Sequence, residues 1–164
     1  MMQNDPFAAG VNLSAEEQRF WNTYLATLES PPNHPRVHAS MAGDAGLADE
    51  LLQLYLSGRK HAGSGLVLDY EVAGEPLPEV DNYWIVLDSQ SRPSCLLKTV
   101  RVEIHRFDQV TDAVALAEGE GDGSLGHWQN AHRNFFAPHL ERLGIHDLES
   151  AQVVTEYFQL VHTA

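Results

Sequence analysis

The chain has 164 residues, a formal net charge of −13 at pH 7 and a single cysteine. That length suits one domain with an appended arm, and it can bury a core without disulfide or metal staples. So acidic a surface repels phosphate backbones, which excludes a protein that coats nucleic acid non-specifically but leaves room for a small cationic pocket taking one nucleotide or a short strand.

Cys95 lies in the apolar run Cys95-Leu96-Leu97 and reads as a small buried hydrophobe. One cysteine makes no internal disulfide framework, which fits a reducing compartment. Met1 to Asp5 carry neither a basic residue nor an apolar run, so no targeting segment is read there. No stretch approaches the roughly 20 apolar residues needed to span a bilayer. The expectation is a cytoplasmic protein with no membrane partner.

Residues 1–12 read as a loose tail. Ser14-Ala15-Glu16-Glu17 is a capping box, with Phe20, Trp21, Tyr24, Leu25 and Leu28 behind it at helical spacing. The pattern predicts an amphipathic helix from Ala15 to Leu28. Its aromatic stripe packs either on the domain or on a second copy, which makes a homodimer one expectation. Pro31, Pro32 and Pro35 end the helix as a stiff linker. Residues 1–39 are therefore assigned to an arm and 40–164 to the domain.

A second helix is predicted from Leu47 to Leu56, with Gly58 at its C-cap. The segment Lys60-His61-Ala62-Gly63-Ser64-Gly65 enters a strand or a tight turn. Leu66 to Val72 is ambiguous between helix and strand. Tyr83–Leu87 and Ser94–Ile104 read as a hairpin. Thr111–Ala117 reads as a short helix. Ser124 then caps a longer helix from Leu125 to Leu143, with Leu125, Trp128, His132, Phe135 and Phe136 on its apolar stripe. A strand from Gln152 to Val161 closes the chain. Strands interleaved with helices, without regular βαβ alternation, give an α+β class, and a small mixed β-barrel flanked by helices and carrying an N-terminal helical arm accommodates them.

Three groups of residues carry chemistry. In Gly58-Arg59-Lys60-His61-Ala62-Gly63-Ser64-Gly65, glycines let backbone N–H groups approach a ligand and Lys60 adds a point charge. Such a turn suits a phosphate or carboxylate. The spacing is not that of a Walker loop. Lys60 is also a candidate base, and Ser64 a candidate nucleophile four positions on. The competing reading is a helix end whose cations favour the dipole. In Glu118-Gly119-Glu120-Gly121-Asp122-Gly123, three carboxylates suit a hard divalent cation, a general acid or base beside Lys60, or merely an acidic loop. No helical zinc pair is read among the nine histidines, so no metal ligand is assigned. His132 reads as a hydrogen-bonded core residue or a ligand contact. Trp128 reads as core, or as a base-stacking ring if its helix edges a pocket.

In this order, the pieces resemble the ASCH family, which shares the PUA-like β-barrel fold. The resemblance runs from about Leu47 to His162. It rests on Ser57-Gly58-Arg59-Lys60 after a leucine-rich helix, Gly74-Glu75-Pro76-Leu77-Pro78 before the strand at Tyr83, Glu118 to Asp122 followed by Ser124-Leu125-Gly126-His127-Trp128, and Thr155-Glu156-Tyr157-Phe158 in the last strand. It implies an RNA-linked function in a cleft beside the lysine turn. The implied options are RNA or nucleotide binding with ribonuclease-type hydrolysis, N4-acetylcytidine amidohydrolysis, or a non-catalytic module for RNA, a modified nucleoside or a protein. In the amidohydrolases the lysine activates a threonine and a glutamate assists. Lys60 and Glu120 match by position, whereas Gly63 stands at the threonine and Ser64 follows it. The implied catalytic set is Lys60, Ser64 and Glu120, with Gly58, Arg59, Gly63, Trp128 and His132 as ligand contacts.

Overall fold

The structure is a computed structural model and describes residues 12–164. The tail expected over residues 1–12 thus lies almost entirely outside the described residues. The described chain forms five helices, α1 (Ala15–Leu25), α2 (Ala48–Leu56), α3 (Val67–Ala73), α4 (Asp112–Glu118) and α5 (Leu125–Phe136). It forms five strands, β1 (Val37–Met41), β2 (Ala62–Leu66), β3 (Tyr83–Leu87), β4 (Pro93–Arg106) and β5 (Gln152–Thr163). The strands make one mixed sheet in the order β1-β3-β4-β5-β2, curled as a half-barrel and flanked by helices. The expected α+β class and PUA-like architecture hold.

Two compact units divide the chain. The first takes the described residues up to Gly58, together with Val80–Thr99 and Gln159–Ala164. Its α1 starts where the capping box places it, with Ser14 Oγ accepting from Glu17 N at 3.1 Å and Glu17 Oε1 accepting from Ser14 N at 3.0 Å. The helix ends a turn earlier than expected, because Thr27 and Leu28 bond back to Tyr24 and Leu25 in tighter i→i+3 turns. Trp21 and Tyr24 are buried and pack on Tyr83 of β3, with ring centroids 4.9 and 5.8 Å away. The aromatic stripe therefore faces its own chain. Strand β1, absent from the sequence reading, pairs in parallel with β3 from Val37↔Tyr83 to Met41↔Leu87 and spans the division placed at residue 39. A five-residue edge strand gives too short an alternation to stand out. The β3–β4 hairpin forms as expected, its turn closed by Asp88, which accepts from Gln90 N and Arg92 N. Cys95 is fully buried, and burial pushes its thiol up to about 12.

The second unit takes Arg59–Glu79 and Val100–Phe158. Its core joins Leu66, Phe107, Val114, Trp128, Phe136 and Val153. The ambiguous segment after Leu66 resolves to α3, stopped by Gly74 at φ +69°. Helix α5 ends at Phe136, not Leu143, because Pro138 has no N–H to continue the ladder and a 3-10 turn follows over 137–139. β2 pairs antiparallel with β5 in an unbroken register, Ala62↔Tyr157 through Leu66↔Val153. That register positions the candidate site.

Candidate functional site

The site starts from a chain reversal. α2 stops at Leu56, and Gly58 takes φ +79° with open space where a Cβ would stand. The chain then runs beside the end of α4. His61 N donates to Ala117 O at 2.8 Å, and the Arg59 carbonyl presses on Gly119 so closely that a Cβ there would lie 2.1 Å from its oxygen. This pairing aims Lys60 inward, where its side chain is only 5% exposed.

Three acceptors receive the Lys60 ammonium. Glu120 Oε2 lies at 3.1 Å, Glu118 Oε1 at 3.4 Å and the Glu118 carbonyl at 3.5 Å. Glu118 is the centre of the site, with 2% of its side chain exposed. Beyond Lys60, its Oε1 faces His132 Nε2 at 3.4 Å. Its Oε2 accepts from Ser64 Oγ at 2.7 Å and from the Trp128 indole N–H. Burial alone would raise the Glu118 carboxyl. The His132 hydrogen bond, the Lys60 charge and the Trp128 donor outweigh it and hold the group at about 2. Glu118 is therefore an anion at neutral pH and a weak proton acceptor.

Ser64 and Thr155 face each other across the β2–β5 register, their hydroxyl oxygens 2.7 Å apart. A carboxylate only accepts, so the Ser64 proton goes to Glu118 and Thr155 donates to Ser64. Side chains alternate along a strand, which puts Ser64 on the carboxylate side of β2 and position 63 on the other. Gly63 therefore stands away from Glu118, and Ser64 supplies the hydroxyl.

Lys60 thus meets both Glu118 and Glu120, and Ser64 joins them through Glu118. Trp128 and His132 join them from beneath. Trp128 is 3% exposed and stacks on His132, with centroids 4.0 Å apart. His132 Nδ1 donates to the Trp128 carbonyl at 2.8 Å, which turns Nε2 toward Glu118. Both rings hold the carboxylate instead of lining an open face. Arg59 is exposed, and its guanidinium donates to the Gly121 carbonyl at the site's edge. Of the three carboxylates of the acidic loop, Glu118 and Glu120 meet on Lys60, while Asp122 turns away and caps Ser124 N at 2.9 Å. Among the described residues no group of three or more His, Cys, Asp or Glu stands where it could hold a metal ion.

Residues 38–162 match the ASCH domain family. The chain belongs to that family. This ASCH domain is similar to the ASCH domain from Lactobacillus crispatus JV V101, at 31% identity over 93% of this chain and 98% of that one, with a TM-score of 0.86. It is also similar to protein EF3133 from Enterococcus faecalis V583, at 32% identity over 88% of this chain and 86% of that one, with a TM-score of 0.76. No curated protein matches it. No helix among the described residues is long and apolar enough to cross a membrane. The ASCH domain has a PUA-like fold, one associated with RNA binding.

Sequence reasoning missed two residues at the heart of the site. Glu118 was read as one of three loop carboxylates. The signal that sets it apart is its place at the end of the apolar run Val114 to Ala117, which carries it into the core. Thr155 lies in the family-like segment of β5, but only its pairing with Ser64 reveals its part.

Proposed function

We propose that this ASCH domain binds RNA or a nucleotide beside Lys60, with the Lys60 ammonium, Ser64 and Glu120 as the polar contacts and Glu118 as their anchor. The observation that carries this reading is the convergence of Lys60 and Ser64 on one buried carboxylate, Glu118, with Glu120 on the far side of the Lys60 ammonium. A lysine ammonium among three acceptors is a donor and not a base. A carboxylate held at about 2 draws the Ser64 proton weakly. Both favour holding a ligand over activating a nucleophile. Glu120, 31% exposed, reaches solvent and can release Lys60 toward an incoming acceptor. Localisation in the cytoplasm and the assignment of residues 40–164 to the binding domain belong to the same proposal.

The test is equilibrium binding of labelled short RNA and of free nucleotides, with the same RNA followed for cleavage with and without divalent metal. Lys60→Ala should weaken binding about tenfold or more, since a charge-assisted hydrogen bond to a ligand contributes about 1.5–3 kcal/mol. Equal binding by both proteins removes Lys60 from the site. Cleavage by wild type and not by Lys60→Ala would make the domain a ribonuclease.

A second reading has its own support in the Ser64 hydroxyl, which donates to Glu118, accepts from Thr155 and stands in the lysine's cluster. In N4-acetylcytidine amidohydrolysis Ser64 Oγ would attack the acetyl carbonyl carbon. The C–N bond would break with the proton passing to cytidine, and water would then release acetate. Wild type and Ser64→Ala incubated with N4-acetylcytidine decide it. Absence of cytidine at high enzyme concentration eliminates this chemistry, and a non-catalytic module remains.

A further inference from the structure

A second polar cluster lies on the same face of β5 as Thr155. Thr155 and Tyr157 are two residues apart in an unbroken register, so both side chains leave the same side of the strand. They stand about 7 Å apart, twice the strand rise of about 3.4 Å per residue. The Tyr157 hydroxyl donates to Glu103 Oε2 at 3.1 Å. Glu103 also takes an ion pair from Arg101, and His105 Nε2 lies 3.3 Å from its Oε2. Arg101, Glu103 and His105 alternate along β4 and so share one face. The Arg101 guanidinium carbon lies 4.6 Å from the centre of the Tyr157 ring, and the side chain is 62% exposed. The Arg101 guanidinium thus lies against the Tyr157 ring, tied to Glu103, on a side chain that is largely exposed.

Such a group contributes little to the fold. Exposed ion pairs add roughly 0–1 kcal/mol. An ordered, exposed guanidinium plane is, however, a ready surface for a nucleobase, because bases stack on arginine planes as they do on aromatic rings, and the ordering is already in place. We propose that Arg101, held against Tyr157 and paired with Glu103, is a second base-stacking subsite, so that the ligand of this domain is a single-stranded RNA segment of at least two nucleotides and not a free nucleoside. This inference rests on the binding function proposed above. The base beyond the one beside Lys60 would stack on Arg101.

The experiment compares the four nucleoside 5′-monophosphates with the matching ribohexamers, on wild type, Arg101→Ala and Tyr157→Phe. Wild type should bind a hexamer at least about tenfold more tightly than its monophosphate. Arg101→Ala should lose most of that gain and keep monophosphate binding. Tyr157→Phe keeps the ring beneath the guanidinium and should retain the gain. Thermal melts of the three proteins should coincide within a few degrees, since Arg101 is exposed. Equal wild-type affinity for hexamer and monophosphate overturns the second subsite while leaving the Lys60 pocket standing. So does an unchanged hexamer gain in Arg101→Ala. Binding of neither probe by wild type overturns both.

Discussion

Glu118 is a carboxylate with three donors and the His132 ring around it and almost no solvent. Removing the charge leaves Lys60 and His132 buried with less to face, so Glu118→Leu should destabilise the domain by about 3–5 kcal/mol, read from urea unfolding. The pH dependence follows from the depressed carboxyl, which sits at about 2 in the fold against an ordinary 4.5. Its contribution, on the order of 3 kcal/mol, is fully present above pH 4.5 and is lost as pH falls toward 2. Wild type should thus lose stability between pH 4.5 and 2, and Glu118→Gln should lose distinctly less over that window. Parallel losses would place the acid sensitivity elsewhere. Lys60 and Ser64 stand out in the sequence because charge and hydroxyl chemistry cluster around glycines there, whereas Glu120 is singled out among three loop carboxylates only by the family resemblance. Glu118 does not stand out, because a carboxylate in an acidic loop looks solvated until its donors arrive from α5 and β2.

The site is set by how short elements meet. Gly119, at φ +62°, lets the Arg59 backbone approach α4, and Gly58 only turns the chain. Gly119→Ala should therefore disrupt the pocket, with a loss of several kcal/mol and of ligand binding, because backbone atoms at 2.1 Å cannot yield. Gly58→Ala meets nothing and should cost about 1 kcal/mol of backbone strain. Chemical denaturation of the two variants separates these effects, and equal losses would deny the close approach its part. Periodicity marked α2, α4, α5 and the β3–β4 hairpin well, because each has an apolar face of its own. β1 and the end of α5 were misjudged for physical reasons. An edge strand of five residues shows little alternation, and the apolar stripe after Phe136 continues past the proline that ends the helix.

The whole molecule carries −13, so RNA bound as proposed would sit against its field. Lys60 already faces two carboxylates, which leaves few phosphates for it to neutralise. The slope of log K against log salt should be no steeper than about −1, near the value of about −0.7 for each phosphate neutralised on a single strand. A slope of several units would point to a basic surface instead. Trp21 and Tyr24 are spent on the helix's own chain, which leaves a homodimer no aromatic stripe there. Light scattering should return the monomer mass of 18.2 kDa, and a dimer would have to use another surface. The sequence by itself determined the α+β class, the ASCH family, the acidity and the residue types of the pocket, because composition, periodicity and ordered motifs are local properties. Only the tertiary structure decided which hydroxyl faces the carboxylate, that Glu118 and not Glu120 is the anchor, and that Trp128 and His132 support it from below. Those outcomes depend on the β2–β5 register, which faces Ser64 with Thr155 91 positions on, on the Ser64–Glu118 contact across 54 positions, and on α5 packing against α4.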